Sequence, residues 1–300
     1  MDKVLVITGP TAVGKTEISL EIAKHFNGEI INADASQFRR KLNIGTAKIN
    51  LAKVDVNHHL IDIIDIEDSF SIKDYQMLAR EKIEYLLKNH QLPILVGGSG
   101  LYINAAIGDY DLNISGRNLE FEKQYENYTN KELHQELQKY DYLAAGNIHP
   151  NNRRRVLRAI EAAKLGNKIS ENKTGHTLKY DVLIICLMCE REILYDRINK
   201  RVDIMFQEGW LDEVKALKVQ GVNLEGIKDI GYQEINQYLE GQLAFDETKD
   251  TIKQKTRKYA KRQITWFKHK MSCQFINVDF NNLHNTYDEI INLVSKFIND

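Results

Sequence analysis

A phosphate-binding pattern, G-x-x-x-x-G-K-[ST], stands close to the start of the chain. Its members are Gly9, Pro10, Thr11, Ala12, Val13, Gly14, Lys15 and Thr16. In such a loop, backbone N–H groups and the positive end of the following helix hold phosphate oxygens, and the lysine adds a point charge. The Thr16 hydroxyl is a ligand that suits Mg²⁺. These residues predict that the chain binds a phosphorylated compound, with Mg²⁺ as cofactor.

The segments on either side of this pattern are the ones that position such a loop. The apolar, β-branched run Val4–Ile7 predicts a buried strand, and Glu17–Phe26 has the periodicity of an amphipathic helix. A strand, a glycine loop and a helix in this order are the context that the motif needs. This context argues against a chance match.

Two further loops are expected beside the first. The strand candidates Glu29–Asn32 and Leu92–Val96 end just before Asp34 and Gly97–Gly100. In a parallel sheet, loops that follow the carboxyl ends of strands lie on one rim. There the Asp34 carboxylate could bind Mg²⁺ or act as a general base, or it could only cap a turn. The glycines allow the backbone to approach a ligand, or they form a simple turn that Ser99 caps.

Strands and helices alternate over most of the chain, which predicts an α/β fold with a parallel sheet flanked by helices. Further strands are expected at Asp181–Leu187 and Gln274–Val278. Long helices are expected at Ile72–Lys88 and Ile193–Lys218.

Residues 109–177 differ from the rest, because they are polar, favour helices and lack strand signals. We therefore predict an all-helical insertion at 109–177 within a core formed by 1–108 and 178–300. Its helices are expected at Leu119–Tyr128, Lys131–Tyr140 and Asn151–Leu165.

Basic residues are concentrated in a few segments, although the net charge is only −1. Arg153–Arg158 contains four arginines, and Lys253–Lys270 contains eight Lys or Arg and no acid. Either run could bind a polyanion such as nucleic acid, or it could be a solvated face. Arg197 and Arg201 lie one turn apart on a predicted helix, where they could clamp phosphates or pair with nearby acids.

Composition limits the class of protein. An apolar content of 43% supports an ordinary globular core, and no apolar run approaches the length of a membrane span. Cys186, Cys189 and Cys273 do not have the spacing of a metal site, so we expect structural thiols in a reducing cytoplasm. We also expect no signal peptide and a monomer.

An ordered series of segments resembles the bacterial tRNA dimethylallyltransferases, also called tRNA isopentenyltransferases. The segments are Gly9–Thr16, Ala33-Asp34 with Gln37, Asn43–Lys48, His58–Asp62, Val96–Tyr102, His149–Asn151 with Arg155 and Arg158, Arg201–Asp203, Ile230–Tyr232 and Arg257–Gln263. They extend over most of the chain in the order of the family. The resemblance implies a P-loop NTPase-like core.

The resemblance also implies a reaction. The family transfers the dimethylallyl group of dimethylallyl diphosphate to N6 of the adenosine 3′-adjacent to the anticodon of tRNA. The phosphate loop would then hold the departing diphosphate, with stabilisation from Lys15, Arg201 and Mg²⁺. Asp34 would accept or orient the N6 proton, and the base would leave its stack.

Residue roles carried over from the family divide into two sets. Catalytic roles fall on Asp34, Thr16 and Arg201, and Thr16 is the metal ligand. Contacts with the anticodon stem-loop of tRNA fall on Asp34, Ala35, Ser36, Gln37, Ser99, Phe121, Arg154, Arg155, Val156, Leu157 and Arg158. Phe121 stands where bacterial members commonly carry an arginine.

Two other functions fit the residues. A small-molecule kinase would use the same loop for ATP, with Arg197 and Arg201 on a lid. A non-catalytic RNA-binding protein would use the loop as a nucleotide switch. The basic runs favour tRNA over a small acceptor, and Asp34 favours an enzyme over a switch.

Overall fold

A computed structural model of the chain describes residues 2–110, 118–171 and 174–300. Six strands form a parallel sheet in the order β3-β2-β4-β1-β7-β8. A separate ladder pairs β5 with β6 in antiparallel fashion. The strands are β1 (Lys3–Thr8), β2 (Gly28–Asn32), β3 (His58–His59), β4 (Leu92–Gly97), β5 (Gly108–Tyr110), β6 (Thr174–Leu178), β7 (Asp181–Met188) and β8 (Gln274–Asn277).

Helices account for most of the remaining chain. They are α1 (Lys15–His25), α2 (Ile72–Lys88), α3 (Gly100–Ile107), α4 (Leu119–Lys123), α5 (Asn130–Tyr140), α6 (Tyr142–Asn147), α7 (Arg153–Lys164), α8 (Arg191–Gln207), α9 (Trp210–Val219), α10 (Tyr232–Leu239), α11 (Phe245–Lys270) and α12 (Leu283–Asn299). The predicted α/β class, a parallel sheet flanked by helices, is confirmed.

Strand β1 lies in the interior of the sheet, which explains its continuous apolar sequence. It pairs with β4 on one side and β7 on the other, and Val4, Leu5, Val6 and Ile7 are fully buried. The neighbouring core includes apolar residues of α1, α8, α11 and α12. The loop after β1 is therefore fixed to the most buried strand of the sheet.

The described residues divide into two compact units. One comprises 1–68, 76–107 and 180–300, and the other comprises 69–75 and 108–179. The second unit contains α4 to α7, which enclose an apolar core of their own, with Leu133, Leu137 and Ile160 fully buried. The ladder of β5 and β6 belongs to this helical unit and was not indicated by the sequence.

Some helices differ from the sequence-based expectation by more than one or two residues at an end. The helix expected over Ile193–Lys218 is two helices, because Gly209 adopts φ +99° between α8 and α9. Helix α4 ends at Lys123 instead of Tyr128. Helix α6 was missed because it is short and contains Gly146, a poor helix former.

Candidate active site

The phosphate loop joins β1 to α1 and is shaped by its glycines. Gly9 and Gly14 have φ of +145° and +98°, and a Cβ on Gly9 would lie 2.5 Å from the carbonyl oxygen of Leu187. The Lys15 ammonium donates to the carbonyl oxygens of Gly9 and Pro10, both at 2.9 Å. The loop thus holds its own lysine beside the N-terminus of α1, where an anion is favoured.

Gln263 of α11 connects the phosphate loop to the loop that follows β4. Its Oε1 accepts from the N–H of Thr11 at 2.9 Å, and its Nε2 donates to the carbonyl oxygen of Gly98 at 2.9 Å. Gln263 is buried. The sequence places Gln263 in a basic segment, and only the fold shows that it links two loops of the site.

A cavity of about 740 Å³ opens beside the phosphate loop, within the first unit. Its polar wall includes Thr11, Lys15, Thr16, Asp34, Ser36, Gln37, Arg197, Arg201, Asp229, Tyr259 and Arg262. Its apolar wall includes Ala47, Ile198, Val202, Met205, Trp210 and Ile230. The cavity therefore offers cations for a diphosphate and apolar surface for a hydrocarbon group.

Asp34 stands just beyond the carboxyl end of β2, as the sequence predicted. Its carboxylate accepts from the N–H of Ser36 at 3.2 Å, which makes Asp34 the cap of a short turn as well as a cavity residue. Burial raises the pKa of Asp34 above its ordinary value of 3.8. The Lys15 ammonium and the Ser36 N–H oppose the rise, whereas the Asp229 carboxylate adds to it.

Lys15, Asp34 and Arg201 influence one another electrostatically. Burial lowers the pKa of Lys15 to about 8, Asp34 opposes this fall and Arg201 adds to it. Burial also lowers the pKa of Arg201, again opposed by Asp34. Two buried cations beside a single carboxylate carry an excess of positive charge, so the binding of an anion would stabilise them.

Arg197 and Arg201 lie one turn apart on α8 but have different surroundings. The Arg197 Nε donates to the carbonyl oxygen of Ala12 at 2.9 Å, and its guanidinium lies 3.9 Å from the ring centre of Phe280. Arg197 therefore supports the phosphate loop, and among the described residues it does not form the ordinary ion pair that was the alternative. That role falls to Lys200, which pairs with Asp196.

The residues after Asp34 are held by neighbouring loops. The N–H of Ala35 donates to Ser99 Oγ at 3.2 Å, and the Ser36 hydroxyl donates to Asp229. The Gln37 amide donates to the carbonyl oxygens of Thr46 and Ala47. Sequence reasoning missed Asp229, although the Gly231 that follows shortly after it marks a tight backbone position with φ +105°.

The donor set around Thr16 suits Mg²⁺. Thr16, Asp34 and Asp229 line one cavity and offer a hydroxyl and two carboxylates. Mg²⁺ usually binds one or two carboxylates together with substrate phosphates. Across 2–110, 118–171 and 174–300 no group of three or more His, Cys, Asp or Glu could hold a metal by itself, so any Mg²⁺ here would depend on the phosphates.

The arginines of α7 do not act as one basic face. Arg153 donates to the carbonyl oxygens of Tyr125 and Tyr128, and Arg158 pairs with the buried Glu161 at 2.8 Å. Arg154 and Arg155 are exposed to solvent. These two are therefore the arginines best placed to bind a polyanion.

Of the three apolar or aromatic residues of the insertion that were expected to contact tRNA, Val156 and Leu157 lie in its core and Phe121 packs against that core. Val156 and Leu157 are buried, so their side chains are not available to bind RNA. Phe121 is half-buried, with its ring centre 5.2 Å from that of Tyr125 and 5.9 Å from the Lys164 ammonium. A contact of Phe121 with RNA would involve the edge of this aromatic cluster.

A comparison with models of protein families shows to which family the chain belongs. Residues 37–270 match the family model described as IPP transferase. The chain belongs to this family. The matched range includes Asp229, Glu213 and Gln263, and the phosphate loop lies before it.

Relatives and solved structures agree with the match. A tRNA dimethylallyltransferase of Halalkalibacterium halodurans is 43% identical, over 93% of this chain and 93% of that protein, and one of Staphylococcus haemolyticus is 41% identical, over 97% and 92%. The full-length tRNA isopentenylpyrophosphate transferase of Bacillus halodurans aligns with a TM-score of 0.75 at 41% identity, covering 100% and 97%. A eukaryotic dimethylallyltransferase acting on tRNA aligns with a TM-score of 0.85 at 28% identity, covering 99% and 79%.

Among the helices described here, none combines the length and the apolar character that crossing a membrane requires.

Proposed function

We propose that this protein transfers the dimethylallyl group of dimethylallyl diphosphate to N6 of the adenosine 3′-adjacent to the anticodon of tRNA, with release of diphosphate. Membership of the IPP transferase family supports the proposal. The observation that carries it is the joint presence of Lys15, Arg201 and Asp34 in a cavity that also has an apolar wall.

The proposed reaction divides between two sides of the cavity. The N6 lone pair attacks the first carbon of the dimethylallyl group, and the bond from that carbon to the diphosphate oxygen breaks. The oxygen keeps the electron pair, and the growing negative charge is stabilised by Lys15, Arg201 and the loop N–H groups. Asp34 accepts the N6 proton, for which its raised pKa is suited.

We further propose Mg²⁺ as the cofactor, bound by the Thr16 hydroxyl together with substrate phosphates. It would supply charge neutralisation at the departing diphosphate. Arg154 and Arg155 of the insertion are proposed to contact the phosphates of the anticodon stem-loop. We propose that the protein acts as a monomer in the cytoplasm, where tRNA is found.

A single assay tests the proposed reaction. The protein is incubated with labelled dimethylallyl diphosphate, Mg²⁺ and unmodified tRNA, and in parallel with labelled ATP in place of the prenyl donor. We expect the tRNA to become labelled in the mixture that contains dimethylallyl diphosphate and to stay unlabelled in the mixture that contains ATP. Transfer from ATP would instead support the kinase.

A substitution at Asp34 tests the assigned base. Asp34→Asn should lower turnover by about two to four orders of magnitude, the range typical for loss of a general base. Asp212→Asn is the matched control, because Asp212 is exposed and pairs only with Lys215 among the described residues. Near-normal turnover of a folded Asp34→Asn protein would remove Asp34 from this role.

A further inference from the structure

One wall of the cavity is a loop that supports Gln37. Residues 43–47 form this loop, and Gly45, Thr46 and Ala47 line the cavity. The Gln37 Nε2 donates to Thr46 O at 3.3 Å and to Ala47 O at 3.4 Å. The position of the Gln37 amide therefore depends on the position of the 43–47 loop.

A single carboxylate holds the 43–47 loop from behind. Glu213 of α9 accepts through Oε2 from the N–H groups of Asn43 at 3.0 Å and Ile44 at 2.8 Å. Its Oε1 accepts from the N–H of Gly45 at 3.3 Å and from the hydroxyl of Tyr232 at 2.8 Å. Four donors converge on one anion, an arrangement in which charge-assisted hydrogen bonds are stronger than neutral ones.

Glu213 makes no other ionic contact within the described ranges of the chain. Its charge is balanced there by three backbone dipoles and one hydroxyl, not by a lysine or arginine. It is also absent from the residues that line the cavity. Glu213 can therefore affect a bound substrate only through the groups that it holds.

Trp210 and Tyr232 fix the same loop by close packing. A Cβ on Gly45 would overlap the indole nitrogen of Trp210 and the hydroxyl of Tyr232. A Cβ on Gly231 would overlap the six-membered ring of the same indole. The buried indole thus lies between the 43–47 loop and the segment that carries Asp229, so both walls of the cavity share one support.

We propose that Glu213 is a positioning residue that fixes the 43–47 loop and, through it, the Gln37 amide that meets the acceptor adenosine. The proposal rests on the proposed function for the identity of the acceptor. The Gln37 Nε2 donates to two loop carbonyls, and no residue that the structure describes donates to the Gln37 amide oxygen. That oxygen is the group offered to the acceptor base.

A glutamine at position 213 could not serve all four donors. Its side-chain amide has one acceptor oxygen and one NH₂ group, so one pair of donors would face another donor. The Glu213→Gln variant keeps the shape of the side chain and weakens its hold on the loop, because two of the four donors lose their acceptor. Unsatisfied donors of this kind cost enough to change an affinity by roughly 10- to 100-fold.

The experiment separates the acceptor from the donor. Glu213→Gln should raise the KM for tRNA by roughly 10- to 100-fold. The affinity for dimethylallyl diphosphate should fall by a clearly smaller factor, because Lys15 and Arg201 are not held by this loop and only Ala47 of the loop lies on the apolar wall. Asp212→Asn, the neighbouring exposed acid on α9, should change neither value.

Further measurements keep the outcome decisive. Tyr232→Phe removes one of the four donors and should raise the KM for tRNA in the same direction by a smaller factor. If Glu213→Gln does not fold, Tyr232→Phe carries the test alone. An unchanged KM for tRNA in a folded variant, or an equal loss of donor and acceptor affinity, would overturn the assignment.

Hydrogen exchange distinguishes this proposal from the proposed function. Amide protons of Asn43, Ile44 and Gly45 should exchange faster in Glu213→Gln than in Asp212→Asn, whether or not any transfer to tRNA occurs. If wild type lacks transferase activity and exchange still accelerates, only the identity of the acceptor is lost. If exchange does not accelerate, Glu213 does not hold the loop and the proposal fails.

Discussion

Replacement of Gln263 should weaken both the fold and the phosphate loop. Gln263→Met keeps the approximate volume of the side chain but leaves the Thr11 N–H and the Gly98 carbonyl without their partner. Each unsatisfied group costs about 1–3 kcal/mol, and the Thr11 N–H is only partly buried, so the loss in unfolding free energy should be about 2–4 kcal/mol. For a chain of this size, that corresponds to a fall in Tm of roughly 3–6 °C.

Thermal unfolding and donor binding measure the two effects. The variant should show the lower Tm and a weaker affinity for dimethylallyl diphosphate, because the Thr11 N–H lies in the loop that receives the diphosphate. Gln254→Met is the matched control, since Gln254 is exposed on the same helix. A Tm and a donor affinity both equal to those of the control would refute the view that Gln263 links the two loops.

Three other predictions concern charge. Lys15→Ala should weaken binding of dimethylallyl diphosphate. In wild type, the affinity for this donor should fall as the pH rises through about 8, because the buried Lys15 ammonium loses its proton there. Calorimetry should find no such fall in the variant. The double variant Arg154→Ala/Arg155→Ala should lower the slope of log Kd for tRNA against log salt concentration by about one unit per lost phosphate contact. An unchanged slope would leave α11 as the leading RNA-binding element. Burial alone would raise the pKa of Glu29, but hydrogen bonds from three side chains hold this pKa below its ordinary value of 4.5. The ionised Glu29 therefore stabilises the folded protein above pH 4.5, and this contribution is lost in acid. Glu29→Gln should therefore lower stability to urea in neutral buffer, with a difference from wild type that closes as the pH falls; a constant difference would contradict this.

Much of the core could be predicted because its signals are local. The strand before Gly9, the glycine loop and the helix after Lys15 are adjacent in sequence, and each is favoured by its own residues. Asp34 could be placed on the rim because the carboxyl ends of all strands in a parallel sheet lie at the same edge. The matching of Ile72–Lys88 to α2 reflects a sustained apolar periodicity.

The remainder depends on contacts between residues far apart in the chain. No local pattern links Glu213 to the amides of Asn43 and Ile44, since 169 or more positions separate them. The role of Arg158 was also hidden, because a run of arginines does not show which member meets a buried acid. Replacement of Arg158 together with Arg154 and Arg155 would therefore combine an effect on RNA binding with the loss of an ion pair.

The link from Gln263 to Thr11 has a consequence for synthesis of the protein. The two residues are 252 positions apart, so the ribosome makes the phosphate loop first and its hydrogen-bond partner near the end of translation. Strand β1 likewise cannot pair with β7 until β7 has been synthesised, because Lys3 lies opposite Asp181 in that pairing. In a nascent chain, the edge of β1 that faces β7 therefore stays unpaired until β7 is made, and an unpaired strand edge is prone to aggregation. A product truncated before α11 would keep every residue of the phosphate-binding pattern and still lack the helix that holds its loop.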